Sequence, residues 1–140
     1  MNILFLTISR MDGIDAHGIY HDLLRQFRDN GHNVYIISPY EARVGRDTEY
    51  RFENGVHELH IRIGNITKCG KIEKGISMLK LEKQYLNALK HYFSDVCFDL
   101  VLYPTPPITL AGVVKYIKKR DNAITYLMLK DIFQIGRAHV

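Results

Sequence analysis

The opening of the chain, "MNILFLTISRMDGIDAHGIYHDLLRQFRDNGHNVYIISP" (residues 1–39), changes its hydrophobic period twice. Asn2 to Ser9 is too apolar for a strand with one wet face, so the first strand belongs in the middle of a sheet. The polar loop "RMDGIDAH" follows. Ile19, Leu23, Leu24 and Phe27 then recur at helical spacing, which predicts a helix from about Gly18 to Asn30. Gly31 supplies a left-handed stop, and "NVYIIS" begins at once as the second strand. Strand, helix and strand with such short connections make a parallel pair with a right-handed crossover.

Downstream, "EYRFENGVHELHIRI" carries Asn54-Gly55 between two β-prone runs, the strongest short hairpin signal. Residues Lys71 to Ser94 read as one long helix. Ile72, Ile76, Leu79, Leu86, Leu89 and Phe93 make its expected core stripe, and Lys71, Lys74, Lys80, Lys83 and Lys90 keep the remainder wet. A strand from Asp99 to Pro104 follows, then a helix over about Ile108 to Arg120 after the breaker "PTPP", and a last strand from Ala123 to Phe133. This alternation predicts a doubly wound, Rossmann-like α/β domain with a mainly parallel sheet and a β-hairpin insertion.

Composition narrows the class. The chain has 140 residues, 46% of them hydrophobic and 24% charged, as in an ordinary globular domain. No apolar run reaches the roughly 18–20 residues needed to span a bilayer. "MNILFLTIS" lacks a positive n-region and a cleavage site, so it reads as a strand and not as a signal peptide. Cys69 and Cys97 form no CxxC pair and have no clustered histidines, which suits reduced thiols in a cytoplasmic protein. A net charge of +4 permits an acidic partner without demanding one, and no nucleic-acid partner is expected.

In doubly wound sheets ligands bind at the carboxyl ends of the strands. Here those stretches are "SRMDGIDAHG", "SPYEARVGRD", "YPTPPIT" and "KDIF". The absence of GxGxxG and of GK[ST] argues against a dinucleotide site and a Walker phosphate loop. Gly18 at a helix start either leaves amides for a hydroxyl or anion, or merely lets helix and sheet pack closely. Asp12, Asp15 and His17 crowd the same loop, where acid–base work competes with capping and solvation. His21, His32, His57, His60 and His91 show no metal-ligand spacing, and His57 and His60 need only be exposed positions on a hairpin strand. No metal is expected. Asp131 ends an apolar strand at the reactive edge, or caps a helix that follows. The lysine stripe of the long helix suits either anionic headgroups or a solvated face.

Taken together, these segments resemble the N-terminal half of glycosyltransferase family 4, the retaining GT-B enzymes, over residues 1–133. "LLRQFRDNGHNVYIISP" is similar to that family's L-x-x-x-x-G-H-x-V. "ENGVHELHI" resembles its hairpin, "FDLVLYPTPPIT" its D-x-V-x-x-x-x-P-P, and "YLMLKDIF" the segment that continues there as D-[IL]-[FW]-P. The strongest likeness is to enzymes of surface-polysaccharide and O-antigen synthesis. The resemblance implies the acceptor-side domain of an enzyme that moves a sugar from a nucleotide-sugar donor to a lipid-linked or glycan acceptor. That donor would be a co-substrate, and no further cofactor is expected. It implies Asp131 as the catalytic polar group, with Gly18, His17 and Asp15 on the acceptor side and Thr105 and Pro106 on the opposite rim. The family's C-terminal donor-binding domain, with its E-x-x-x-x-x-x-x-E signature, has no counterpart here. The single Gly18 also stands where many members have a double glycine.

The last seven residues, "QIGRAHV" (134–140), fit nothing before them. "IGRAHV" matches a translated sequencing adapter (ATC GGA AGA GCA CAC GTC), and Gln134 fits a proline codon overwritten by the adapter's first two bases. Residues 134–140 are therefore expected to be a non-native tail, and the fragment is expected to be inactive alone. The competing expectation is a free-standing, flavodoxin-like binding or regulatory domain. A third is a peripheral module at an anionic membrane surface, at the inner face of the plasma membrane.

Overall fold

The computed structural model describes residues 1–11, 13–104 and 110–128. Their elements run in the order β1 (Asn2–Leu6), α1 (Ile19–Asp29), β2 (Asn33–Glu41), a 3-10 turn (Ala42–Val44), β3 (Glu49–Glu53), β4 (Val56–Ile63), α2 (Lys71–Tyr92), β5 (Leu100–Pro104), α3 (Ala111–Asp121) and β6 (Ile124–Met128). The six strands form one sheet, ordered β3-β4-β2-β1-β5-β6, in which only the β3–β4 pair is antiparallel. This is a Rossmann-like α/β layer with a hairpin at one edge.

Why these residues take this form follows from period-2 burial along β1. Ile3 and Phe5 point to the face covered by α1, whereas Leu4 and Leu6 point to the face covered by α2 and α3. Both sets are fully buried, so β1 is central, as its unbroken apolar run requires. The hairpin turns on Asn54 and Gly55, with φ of 53° and 77°, which is the left-handed pair that a two-residue turn needs. Gly64 matters for another reason. A Cβ there would lie 2.2 Å from the Ser77 hydroxyl, so its absence lets the start of α2 close onto the end of β4.

Most boundaries fall within a few residues of expectation, with β2 extended through Pro39 to Glu41. Residues 129–133 of the expected last strand lie outside the described residues. Three expectations are corrected. Ile72, Ile76 and Leu79 do not face the core: they are 82%, 50% and 84% exposed, and α2 instead buries Ser77, Leu81, Tyr85, Ala88 and Leu89. Ile19 likewise lies outside the core, because only Leu24 of α1 is fully covered. His60 is not an exposed hairpin position but fully buried, since β4 is sandwiched between β3 and β2. His57 is half-buried, stacked on Tyr35 at 4.1 Å, and that burial lowers its pKa.

Candidate functional site

A pocket of about 370 Å³ opens at the carboxyl ends of β1, β2 and β4. Ile8, Ser9 and Arg10 follow β1, and Pro39 and Glu41 end β2. Arg43 and Val44 sit in the 3-10 turn, and Ile66, Thr67 and Lys68 follow β4. The strand order reverses between β1 and β5, and the pocket lies on the β2 side of that point. Open α/β sheets bind ligands outside the carboxyl ends of their strands.

Glu41 organises the wall. Its carboxylate accepts from the Ile66 and Thr67 backbone amides, both at 2.7 Å, and from the Thr67 hydroxyl at 2.8 Å. Arg43 pairs with it at 3.2 Å and also donates to the Thr67 carbonyl and hydroxyl. Burial alone would raise the Glu41 pKa, but these donors and the Arg43 charge outweigh it and hold the carboxyl below its ordinary value. Glu41 is thus committed to the fold. The cations lining the pocket are Arg10, Arg43 and Lys68, with Arg43 paired to Glu41, and the hydroxyls of Ser9 and Thr67 lie beside them. Tyr85, fully buried on α2, donates to the Thr7 carbonyl at 2.6 Å and so fixes the end of β1 that leads into the pocket.

A second polar cluster lies under the α1 face. Ser38 and His60 share a 3.0 Å hydrogen bond, and Glu58 comes within 3.7 Å of the other imidazole nitrogen. His60 stacks on Tyr40 at 4.6 Å, and Tyr40 donates to Glu49 at 2.7 Å. Serine, histidine and glutamate together suggest a nucleophile relay. Two facts oppose it. Ser38, Glu58 and His60 are at most 2% exposed, so no substrate reaches them, and 3.7 Å is too long for an orienting hydrogen bond. The cluster holds β2, β3 and β4 in register.

Of the candidate site residues, Asp15, His17 and Gly18 are among the described residues, and none of the three lines the pocket. Asp15 accepts from Asn54 at 2.8 Å, which ties its loop to the hairpin turn at the amino-terminal edge of the sheet. His17 and Gly18 are exposed and do not line the pocket, and Gly18 caps α1 with extended backbone. Asp12, Thr105, Pro106 and Asp131 lie outside the described residues. Arg10, Glu41, Arg43, Thr67 and Lys68 were missed as individuals, although the first three fall within the two strand-end stretches named above. Their signal was a cation or acid directly after a buried strand. Thr67 and Lys68 follow a hairpin strand and gave none. Among the described residues no group of His, Cys, Asp and Glu could hold a metal, and no helix is long and apolar enough to cross a membrane.

Two solved structures share this fold. The C-terminal domain of a Pyrococcus furiosus hydrogenase superposes with a TM-score of 0.59 at 14% identity, covering 91% of this chain and 90% of that one. An E. coli trehalose-6-phosphate protein bound with UDP-2-fluoro glucose superposes with a TM-score of 0.57 at 10% identity. There the match covers 91% of this chain but 32% of the other, so this chain spans about a third of that protein. At such identities the likeness is one of fold alone. No family model matches the sequence, and no curated protein matches it.

Proposed function

We propose that the chain is the acceptor-side domain of a glycosyltransferase that moves a sugar from a nucleotide donor to a glycan or lipid-linked acceptor. The observation that carries this reading is the pocket at the carboxyl ends of β1, β2 and β4. It is set in a fold shared with a protein that binds UDP-2-fluoro glucose. Cations and hydroxyls around a half-apolar floor suit a polyhydroxylated acceptor with a negative group. The finer reading, a retaining enzyme of family 4 acting in surface-polysaccharide synthesis, rests on the sequence resemblance. So do Asp131 as the group beside the reacting hydroxyl, Gly18, His17 and Asp15 on the acceptor side, and Thr105 and Pro106 as the opposite rim. The nucleotide-sugar contacts would belong to a second domain.

The test has two parts. The 140-residue chain, given a panel of nucleotide sugars, should turn none over, because holding both substrates together is a large part of such catalysis. A chain extended along the natural reading frame past Phe133 should transfer sugar. Transfer by the short chain would overturn the division of labour. A natural frame that stops near residue 133 would overturn the enzyme and leave a free-standing binding domain.

A further inference from the structure

The outward face of α2 is apolar where the fold gives no reason for it. Ile72, Ile76 and Leu79 are 82%, 50% and 84% exposed, and at about 100° per residue they fall within about 60° of one another. They lie opposite Leu81 and Tyr85, which are fully buried. Lys83 continues the same line along the helix and Lys80 flanks it, both exposed, whereas Lys71 and Lys74 stand in the first turns about 100° and 160° away from Ile72. The two acids of this helix flank the line, and each has a partner of its own. Glu73 accepts from Asn65 at 2.9 Å, and the Glu82 carboxylate lies against Gly112 of α3.

We propose that this face docks on an anionic lipid bilayer, with Ile72, Ile76 and Leu79 entering the headgroup–acyl boundary and the lysines meeting lipid phosphates. An exposed apolar line with Lys80 and Lys83 on and beside it suits interfacial binding. The lysine stems also run along apolar surface while their charged ends reach the headgroups. Charge chooses this occupant over a second copy of the chain, because two copies face to face would bring Lys80 and Lys83 of each together, four lysines in all. Arg62 and Lys80 border a groove of about 320 Å³ beside Ile76, with room for a headgroup. The start of α2 also lies at the same edge of the sheet as the 370 Å³ pocket, joined to it through Ile66, Thr67 and Lys68. If the proposed transferase reading holds, docking would present a lipid-linked acceptor to that pocket. The docking itself does not depend on that reading.

Vesicle sedimentation of the 140-residue chain tests it. Phosphatidylcholine vesicles containing phosphatidylglycerol should bind the chain, and phosphatidylcholine alone should not. Each lysine near an anionic surface contributes about fivefold, so Lys80→Gln with Lys83→Gln should weaken partition about 25-fold. Ile72→Ser with Leu79→Ser should weaken it at least tenfold. Circular dichroism should be unchanged, because these side chains contribute little to the core. Lys118→Gln with Lys119→Gln, exposed on α3, is the control for general basic charge and should leave partition as it was. Equal loss in that control, indifference to the apolar double variant, or no binding to anionic vesicles would overturn the proposal. So would concentration-dependent dimerisation that the apolar variant abolishes. Sugar transfer is not read, so failure here leaves the function proposed above untouched.

Discussion

Glu41 offers the sharpest test of how the pocket is built. Replacing it with alanine strips the Ile66 and Thr67 amides, the Thr67 hydroxyl and Arg43 of their shared acceptor. Hydrogen bonds to a charged group contribute about 1.5–3 kcal/mol each, but water can re-solvate the exposed Thr67 and Arg43. The loss should therefore be about 2–3 kcal/mol in total, most of it from the buried Ile66 end. With a urea m-value of about 2 kcal/mol/M, the unfolding midpoint should fall by roughly 1 M. Glu41→Gln keeps one carbonyl acceptor for the two amides but turns an NH₂ toward Arg43, so about half of that loss is expected.

The pH dependence gives an independent check. The Glu41 pKa is lower in the folded chain than its ordinary value of 4.5, so its stabilisation is fully present above that value. It is lost as pH falls from there through the lowered folded value. Glu49 and Asp121 are also lowered and titrate in the same region, so the wild-type acid curve alone does not isolate Glu41. The difference between wild type and Glu41→Gln does. The gap should be constant above about pH 5 and close as pH falls below the ordinary carboxylate range. A urea midpoint unchanged in Glu41→Ala, or a gap that stays constant down to acid unfolding, would refute the reasoning.

Two further outcomes are expected. Tyr85→Phe leaves the Thr7 carbonyl without its buried donor and should cost about 1–3 kcal/mol, or roughly 5 °C in Tm by calorimetry. An unchanged Tm would mean that water replaces the hydroxyl. Asp131→Asn, made in a chain extended to include the donor-binding half, should lower turnover about a hundredfold with the fold intact if Asp131 handles charge or a proton. Near-wild-type turnover would leave it as a helix cap, because asparagine caps nearly as well.

The architecture was legible because its signals are local and agree with one another. The apolar run at Asn2–Leu6, the stop at Gly31 and the Asn54-Gly55 turn each depend on neighbours a few residues away, and each stands where expected. The site is not local. Glu41 finds its partners 25 and 26 residues along the chain, so nothing in "SPYEARVGRD" says that Glu41 is committed to the wall of a pocket. The loop after β1 also depends on distant contacts. It holds the residue types of an acceptor site, but Arg25 donates to the carbonyls of Ile14 and Ala16 and draws that part of it back along α1. Asp15 is then carried to the hairpin turn.

The long helix shows where periodicity itself runs out. Ile72, Ile76 and Leu79 satisfy a 3.6-residue period, and so do Leu81, Tyr85 and Ala88 on the opposite side. Two apolar lines on one helix cannot be ranked by spacing, because spacing says that residues share a face and not which face meets the sheet. Bulk and neighbours decide it. Tyr85 reaches the Thr7 carbonyl only if its own line faces inward, and Gly64 admits Ser77 against the end of β4. Once those two contacts are made, the helix cannot rotate to bury Ile72 and Leu79 without breaking both. The leftover line therefore stays outside at a cost in solvent-exposed apolar surface. Soluble monomers seldom keep such a contiguous patch without a use for it. The same three residues that made the sequence misleading about the core are thus the ones that the proposed docking would use.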